Sequence, residues 1–292
     1  MNLTGRNVVV SGGTGFIGRL VFQRLRDKGA AVQQLSRRAG YDLTEWSKLQ
    51  AIAPFDTFVH LAGRSFVPDA FRDPRGFLEA NTVATLNALE LCRLHNAHMV
   101  FASTYVYGDP QYLPVDEKHP LSAKNPYTES KLIGERLCAA YLRDFGIRAT
   151  ILRMFNVYGP GQSASFLIPQ LVHQAHIGRI EIADEAPIRD YVFVDDVAEA
   201  FVSAVVRDER AVSVYNIGTG IGTSVAELVS LIQRHVGVPC EVNCLHRRRP
   251  GEILATVADV SLAKAELSWE PRTPICEGIA HSVAACSDRV AN

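Results

Sequence analysis

The sequence contains no long apolar run, no marked excess of charge and no paired cysteines. No stretch approaches the roughly 20 apolar residues of a membrane-spanning helix, so we expect no membrane partner. The formal net charge of −1 gives no electrostatic footprint for nucleic acid. The six cysteines are scattered without a Cys-x-x-Cys pair, which argues against a structural metal. The first predicted strand begins almost at Met1 and leaves no room for a signal peptide, so we expect a cytoplasmic protein.

Short apolar strands and helices alternate through the first half of the chain. Buried strands are predicted at residues 31–35, 56–61, 98–103 and 147–153, and helices near 15–28, 44–52, 75–95 and 126–145. This alternation predicts an α/β fold with a doubly wound parallel sheet and helices on both faces. The rhythm loosens after Pro160, which predicts a smaller interleaved lobe.

The predicted domain boundaries follow from this change of rhythm. We expect a main domain at residues 1–160, with returns near 187–214, and a second lobe formed mainly by 161–292. In particular, a strand and a helix at about 191–207 are expected to return to the main domain.

A glycine-rich turn follows the first predicted strand. The strand at residues 7–10 runs into Gly12, Gly15 and Gly18, with Phe16 and Ile17 between them, and a helical pattern follows. Glycines let the backbone approach a pyrophosphate closely, and a helix N-terminus offers unpaired N–H groups and a positive potential. The alternative is a tight turn that binds nothing. Because both flanking elements are present, we favour a dinucleotide-binding loop.

Tyr127 and Lys131 lie four residues apart in a predicted helix, so their side chains project from the same face. A tyrosine hydroxyl ordinarily ionises near pH ~10, and a neighbouring ammonium favours its charged form. We therefore expect Lys131 to lower the pKa of Tyr127 toward neutrality, so that the phenol can exchange a proton with a sugar or steroid oxygen. The alternative is a chance pair on a solvated helix.

Together with Ser103 at the end of a predicted strand, these motifs resemble the extended short-chain dehydrogenase/reductases. Within that family the chain is similar to enzymes that modify nucleotide-diphosphate sugars, such as UDP-glucose 4-epimerases and GDP-4-keto-6-deoxymannose reductases. Further segments match in sequence order: His60–Gly63, Val106–Gly108, Arg153–Gly161, Arg189–Asp196 and Arg249–Glu252. The resemblance covers nearly the whole chain and implies a Rossmann cofactor domain with a smaller lobe that binds the nucleotide sugar.

The resemblance implies a catalytic set of Ser103, Tyr127 and Lys131. In it, Ser103 donates a hydrogen bond to the reacting oxygen of the substrate, and Tyr127 gives or takes the proton. Lys131 holds the nicotinamide ribose and lowers the tyrosine pKa. Thr104 and Tyr105 stand where dehydratase relatives carry an Asp-Glu acid–base pair, so dehydration is not expected.

The residues after the second predicted strand bear on the choice of cofactor. NAD-binding relatives carry an acidic residue there, whereas this chain has Ser36, Arg37 and Arg38. Guanidinium groups bind phosphate bidentately, so we favour NADP(H), with NAD(H) as the alternative and a solvated arginine pair as the non-functional interpretation. By resemblance, the rest of the cofactor site comprises Asp42 and Leu43 at the adenine, and Leu61, Ala62 and Gly63.

The implied substrate is a nucleotide-diphosphate sugar, whose diphosphate requires cations. Arg189 and Arg249 occupy the matching motif positions, although Arg189 could instead pair with Asp190 or Asp195. The residues expected to contact the substrate are Ser65, Phe66, Ser103, Thr104, Asn156, Arg189 and Arg249. No metal is expected.

Three functions are considered. The favoured one is NADPH-dependent reduction of a nucleotide-4-keto-6-deoxyhexose, because the arginines after strand two suit an exchangeable NADPH. The alternative is a nucleotide-sugar 4-epimerase that keeps NAD(P) tightly bound. The third is a non-catalytic dinucleotide sensor on the same fold.

The helices at 75–95 and 126–145 carry apolar residues on more than one side. One side can cover the sheet while another pairs across a two-fold axis, so we expect a homodimer. The alternative is complete burial of both sides within one chain.

Overall fold

The computed structural model describes residues 2–207, 211–248 and 251–290, with the backbone alone described at 287–290. Its strands are, in chain order, β1 (Asn7–Ser11), β2 (Ala31–Leu35), β3 (Thr57–His60), β4 (His98–Thr104), β5 (Ala149–Met154), β6 (Asn156–Tyr158), β7 (Arg179–Ile182), β8 (Ile188–Phe193), β9 (Val212–Ile217), β10 (Gly222–Ser224), β11 (Glu241–Cys244) and β12 (Ala255–Thr256). Its helices are α1 (Gly18–Asp27), α2 (Trp46–Leu49), α3 (Val67–Arg72), α4 (Pro74–His95), α5 (Pro126–Phe145), α6 (Leu167–Ile177), α7 (Val194–Val206), α8 (Val225–Val236), α9 (Ser261–Glu266) and α10 (Ile275–Val290). None of the helices in these ranges is long and apolar enough to cross a membrane.

The main sheet has six parallel strands in the order β2-β1-β3-β4-β5-β9. Both of its faces are covered, which explains why β4 and β5 are apolar along most of their length rather than alternating. Residues of α1 and α7 pack in the core on one face, and residues of α4 and α5 pack on the other. This arrangement confirms the predicted doubly wound parallel sheet.

A smaller lobe is built around β8, which pairs with β10 antiparallel and with β12 and β6 parallel. Strands β7 and β11 form a separate parallel pair, and α6, α8 and α10 share an apolar core with β8. Only part of the segment at 191–207, which was predicted to return to the main domain, packs there. Helix α7 packs against α1, but β8 belongs to the small sheet, and β9 is the strand that rejoins the main sheet beside β5. Strand β6 is separated from β5 by the single residue Phe155, and it pairs with β8 outside the main sheet.

The parallel strands of the main sheet end at a common edge, and this edge positions the site. Ser11, His60, Thr104 and Met154 are the last residues of β1, β3, β4 and β5. Ligands of open parallel sheets bind beyond these carboxyl ends, and the smaller lobe here stands over the same edge.

Candidate active site

A cavity of about 790 Å³ runs along the carboxyl edge of the main sheet and into the smaller lobe. The predicted site residues that line it are Gly12, Gly15, Phe16, Ile17, Gly18, Leu61, Gly63, Ser65, Thr104, Tyr127, Lys131, Asn156 and Arg189. The other described ones lie off its wall: Ser36, Arg37, Arg38, Asp42, Leu43, Ala62, Phe66 and Ser103. Arg249 falls outside the described residues.

The glycine loop has the geometry of an anion site. The N–H of Gly15 bonds the carbonyl of Gly12 at 2.9 Å, and Gly12 has φ +70, a conformation that favours glycine. A Cβ on Gly12 would lie 2.7 Å from the nitrogen of Ala62, and one on Gly18 would collide with the Gly12 carbonyl. Helix α1 has no side-chain cap and no acidic residue in its first turn. The N–H groups of Arg19 and Leu20 already bond the carbonyls of Gly15 and Ile17 at 3.1 Å, so the cavity is lined by the loop that precedes them. This loop and the positive end of the helix fit the pyrophosphate of a dinucleotide.

The arginines after β2 lie at the rim rather than in the cavity. Arg37 starts a single 3₁₀ turn and its Nε bonds Asp42 Oδ2 at 2.9 Å. Arg38 is exposed and makes no ion pair with any residue that the structure describes. Arg37 is therefore held by a carboxylate, and Arg38 is solvated at the end of β2.

Asp42, expected to meet the adenine, already has several donors. Its Oδ1 accepts hydrogen bonds from the N–H of Thr44 at 3.0 Å and from the Thr44 hydroxyl at 2.8 Å, while Oδ2 is taken by Arg37. These bonds, the backbone one first, lower the pKa of Asp42. Any adenine contact by this carboxylate must therefore share an oxygen that is already bonded.

Helix α5 presents Tyr127 and Lys131 to the cavity. The helix starts with a capping box between Asn125 and Thr128, which fixes the first turn that carries Tyr127. Lys131 is only 6% exposed, and its Nζ lies 5.1 Å from the centre of the Phe101 ring. No carboxylate in the described part of the chain pairs with it, and burial lowers its pKa to about 8.

The predicted effect of Lys131 on the tyrosine is wrong. Burial raises the pKa of Tyr127, and only a hydrogen bond with the Thr104 hydroxyl opposes the rise. Desolvation disfavours the phenolate more than these neighbours stabilise it. The phenol is therefore protonated at neutral pH and can donate its proton.

The structure also contradicts the prediction that Ser103 contacts the substrate. Ser103 is fully buried, and its Oγ donates to Glu135 Oε1 at 2.5 Å on the α5 side of the sheet. Thr104, the next residue, points the other way and lines the cavity beside Tyr127. The reason is the alternation of side chains along β4, which sends neighbouring residues to opposite faces. Thr104, not Ser103, is therefore the residue at the end of β4 whose hydroxyl lies in the cavity beside Tyr127.

A buried chain of hydrogen bonds, which the sequence interpretation missed, supports the loop at residues 61–64. Ser11 Oγ lies 2.8 Å from His60 Nδ1 and accepts from the N–H of Ala62 at 3.3 Å. His60 Nε2 lies 3.2 Å from Thr85 Oγ1, which itself donates to the Asn81 carbonyl. The imidazole is therefore a neutral bridge between β1, β3 and α4. Burial, and then Lys131, lowers the pKa of His60 to about 3.

Asn81 holds the same loop from α4. Its Oδ1 accepts from the N–H of Arg64 at 2.8 Å, and its Nδ2 donates to the Arg64 carbonyl at 3.0 Å and to Ser130 Oγ at 2.9 Å. The signal for it was present in the sequence, because Asn81 is a polar residue on the buried side of an otherwise apolar helical pattern.

The substrate end of the cavity contains Arg189 and Asn156. Arg189 Nη2 lies 3.6 Å from Glu252 Oε1, and Nη1 donates to the Ile188 carbonyl at 2.9 Å. The alternative pairing with Asp190 or Asp195 is wrong. Asp190 is buried and accepts from the N–H groups of Thr219, Gly220 and Ala258, and Asp195 pairs with Arg24. Arg189 therefore remains on the cavity wall.

Phe66, expected to contact the sugar, packs its ring edge-on against Phe166, with 5.7 Å between ring centres. Phe66 precedes α3 of the main domain, and Phe166 precedes α6 of the smaller lobe. The two rings therefore join the lobes beside Ser65, and Phe166 rather than Phe66 lines the cavity.

Comparison with known proteins agrees with this geometry. A sequence model of the NAD dependent epimerase/dehydratase family matches residues 8–218. The chain belongs to this family. The UDP-glucose 4-epimerase of Bos taurus is 31% identical over an alignment 323 residues long, which covers 90% of this chain and 91% of that protein.

Two solved structures are similar over almost their full length. The UDP-glucose 4-epimerase of Thermus thermophilus in complex with NAD is 30% identical, with a TM-score of 0.86, and covers 96% of this chain and 98% of that one. RMD from Pseudomonas aeruginosa complexed with NADPH is 29% identical, with a TM-score of 0.89, and covers 97% and 99%. The predicted family is thereby confirmed, and this member is an NAD(P)-dependent nucleotide-sugar enzyme.

Proposed function

We propose that this protein is a 4-epimerase of a nucleotide-diphosphate sugar. The observation that carries the proposal is the single cavity, which joins the glycine loop, the Thr104–Tyr127–Lys131 group and the smaller lobe. The sequence analysis favoured a 4-ketoreductase, but the names of the relatives favour its alternative, the epimerase. The non-catalytic sensor has no need of a hydroxyl, phenol and buried amine in one cavity.

The dinucleotide would be held by the loop at Gly12–Gly18, with its pyrophosphate at the N-terminal end of α1 and its nicotinamide end toward Lys131. When bound, it supplies reversible hydride transfer at the sugar carbon. Leu61 and Gly63 also line the cavity, and their backbone could approach the dinucleotide closely.

Thr104 and Tyr127 perform the proton chemistry. The two side chains are hydrogen-bonded to each other and line the cavity, so one substrate oxygen can contact both. In the oxidation, the phenolate form of Tyr127 takes the hydroxyl proton of the sugar, and in the reduction the resulting phenol returns this proton to the ketone oxygen. The Lys131 ammonium stabilises the phenolate during this exchange and binds the hydroxyls of the nicotinamide ribose. A 4-epimerase needs both directions, because the sugar is oxidised and then reduced on its other face.

The smaller lobe would hold the nucleotide diphosphate. Arg189 on the cavity wall is the cation for the diphosphate, and the side-chain amide of Asn156, at the start of β6, donates or accepts a hydrogen bond. Ser65 lies on the opposite wall near the sugar. Arg249, outside the described residues, keeps its proposed phosphate role from the sequence motif.

We further propose a preference for NADP(H), supported by Arg38, whose guanidinium has no acidic partner among the described residues. A hydrogen bond to a charged group contributes ~1.5–3 kcal/mol, so Arg38→Ala should reduce the NADPH over NADH preference about tenfold or more. Arg37→Ala, at a side chain already paired with Asp42, is the matched control with a smaller effect. Equal affinity of the wild-type chain for both dinucleotides would contradict this preference.

The deciding experiment follows product and cofactor together. Purified protein is incubated with UDP-glucose or UDP-galactose, and the anomeric proton signals are followed by NMR while nicotinamide absorbance is recorded. The proposal requires interconversion at C4 without net change in the cofactor. Stoichiometric consumption of NADPH by a nucleotide 4-keto sugar, without formation of an epimer, would establish the reductase instead.

A homodimer through α4 and α5 remains our proposal for the assembly. These helices pack on each other and still expose Leu86, Leu94 and Phe145, at 40%, 54% and 54%. Light scattering after gel filtration should give twice the mass of the chain, and Leu86→Asp should shift it toward the monomer. A wild-type monomer at micromolar concentration would contradict the proposal.

A further inference from the structure

A buried ionic cluster lies behind the catalytic edge, on the face of the sheet that the cavity does not reach. At its centre is Glu135 of α5, which accepts from Ser103 Oγ at 2.5 Å and from Arg153 Nη2 at 2.6 Å. Arg153 Nε lies at 3.0 and 3.2 Å from the two Glu135 oxygens. The side chains of Arg153 and Glu135 are 5% and 6% exposed, so the pair is desolvated and held bidentately.

The cluster joins elements that are distant in sequence. Arg153 is the partner of Ser103 across the β4–β5 ladder. Its Nη1 donates to the Tyr107 hydroxyl at 3.0 Å and to the Glu117 carbonyl at 3.3 Å. Strands β4 and β5, helix α5 and the segment after β4 therefore meet at one carboxylate. Such a fully bonded buried network rigidifies the groups attached to it.

The reacting groups are attached to this cluster directly. Thr104 follows Ser103 on β4, while Lys131 and Tyr127 lie one and two helical turns before Glu135 on the same face of α5. The Ser103–Glu135 bond thus links the strand that carries the hydroxyl to the helix that carries the phenol and the amine.

The cluster also keeps the Glu135 carboxylate from pairing with Lys131. A carboxylate four residues after a lysine lies on the same helix face, within reach of an ion pair. Here Arg153 and Ser103 take the Glu135 oxygens, and Lys131 has no carboxylate partner in the described ranges. The amine is left as an uncompensated cation beside the cavity.

We propose that Ser103, Glu135 and Arg153 are positioning residues, which set Thr104 against Tyr127 and keep the carboxylate away from Lys131. None of the three lines the cavity. The inference rests on the proposed function for its turnover measurement, but not for its binding measurement.

The test uses Ser103→Ala in the full chain, with Ser282→Ala as control. Ser282 is also a buried serine with one hydrogen bond, from its Oγ to the Gly278 carbonyl, but it lies in α10. For Ser103→Ala we expect kcat to fall about tenfold to a hundredfold with KM unchanged, because a misplacement of about 1 Å in the reacting groups can cost about a hundredfold in rate. Ser282→Ala should leave kcat unchanged. An unchanged kcat in Ser103→Ala, or a rise in KM alone, would overturn the proposal.

A second measurement does not need turnover. The dissociation constant of NADPH is measured as a function of pH, and the midpoint of this pH dependence is set by the pKa of Lys131. In Ser103→Ala, Glu135 Oε1 loses the bond from Ser103 and keeps only the 3.0 Å bond from Arg153 Nε, so its less compensated charge should move the midpoint to higher pH, while Ser282→Ala keeps the wild-type midpoint. If the wild-type chain epimerises no sugar, the proposed function fails, and the positioning role of the cluster is then tested only by the shift of the binding midpoint in Ser103→Ala. An unmoved midpoint overturns it.

If Ser103→Ala does not fold, Arg153→Lys replaces it, because lysine keeps the charge but not the bidentate fork. The same fall in kcat at constant KM is expected, and its absence counts against the cluster.

Discussion

The pH dependence of dinucleotide binding is the sharpest consequence of the Lys131 environment. The amine is 6% exposed, has no carboxylate partner in the part of the chain that the structure describes, and has its pKa lowered by burial to about 8. An exposed lysine ionises near pH ~10.4 and would stay charged throughout the working range. Lys131 instead loses its proton between about pH 7 and pH 9.

The size of the effect follows from this pKa. With a pKa of about 8, roughly nine-tenths of the amines are charged at about pH 7 and roughly one-tenth at about pH 9. If the bound dinucleotide requires the ammonium, the dissociation constant rises about tenfold across this interval. The sign is fixed, because binding takes up a proton and therefore weakens as protons are withdrawn.

The assay is a fluorescence titration with NADPH at constant ionic strength across this pH range. Lys131→Arg is the control, because a guanidinium stays charged throughout and its affinity should not depend on pH. A wild-type dissociation constant that is flat to about pH 9 would refute the reasoning about burial. The same slope in Lys131→Arg would assign the titration to another group.

Three further predictions test separate parts of the site. Thr104→Val, which removes only the hydroxyl, should lower turnover by about a hundredfold or more while NADPH affinity stays unchanged; full turnover in steady-state kinetics would contradict its role. His60 has a pKa of about 3 when folded and near ~6.5 when unfolded, so the free energy of unfolding should fall by ~1.4 kcal/mol per pH unit as the pH drops through this window. Urea unfolding at several pH values should show that the free energy of unfolding depends less on pH in His60→Gln than in the wild type. The same pH dependence in both proteins would refute the assignment to His60. Gly18→Ala places a Cβ against the Gly12 carbonyl and should weaken NADPH binding in the same titration; wild-type affinity would show that the loop can yield.

The glycine loop, the parallel sheet and the Tyr127–Lys131 pair could be predicted from the sequence because each depends on local spacing. Strand, turn and helix follow one another within residues 7–27, and a separation of four fixes a shared helix face. Local spacing was therefore enough to predict most of the residues that line the cavity.

The choice between Ser103 and Thr104 depends on which face of β4 meets the cavity, and a motif match does not state this. The alternation of β4 contained the answer, since Phe101 packs in the core on the α4–α5 side and Ser103 must follow it. Combining the motif with strand periodicity would have selected Thr104.

The sign of the Tyr127 pKa could not be predicted from the sequence either. The spacing brings an ammonium onto the same face, but burial of the phenol outweighs it. Likewise, the pairing of Arg37 with Asp42 depends on the 3₁₀ turn after β2, whose path no motif specifies.

Inversion of the configuration at C4 of the sugar, with the cofactor restored, tests the central claim most directly. A nucleotide sugar deuterated at C4 is given to the protein with its bound dinucleotide, and the epimer is analysed by NMR and mass spectrometry. We expect the epimer to form with the deuterium retained at C4, and Tyr127→Phe to form almost none while it still binds NADPH. Loss of the label to solvent, or full activity of Tyr127→Phe, would contradict the account.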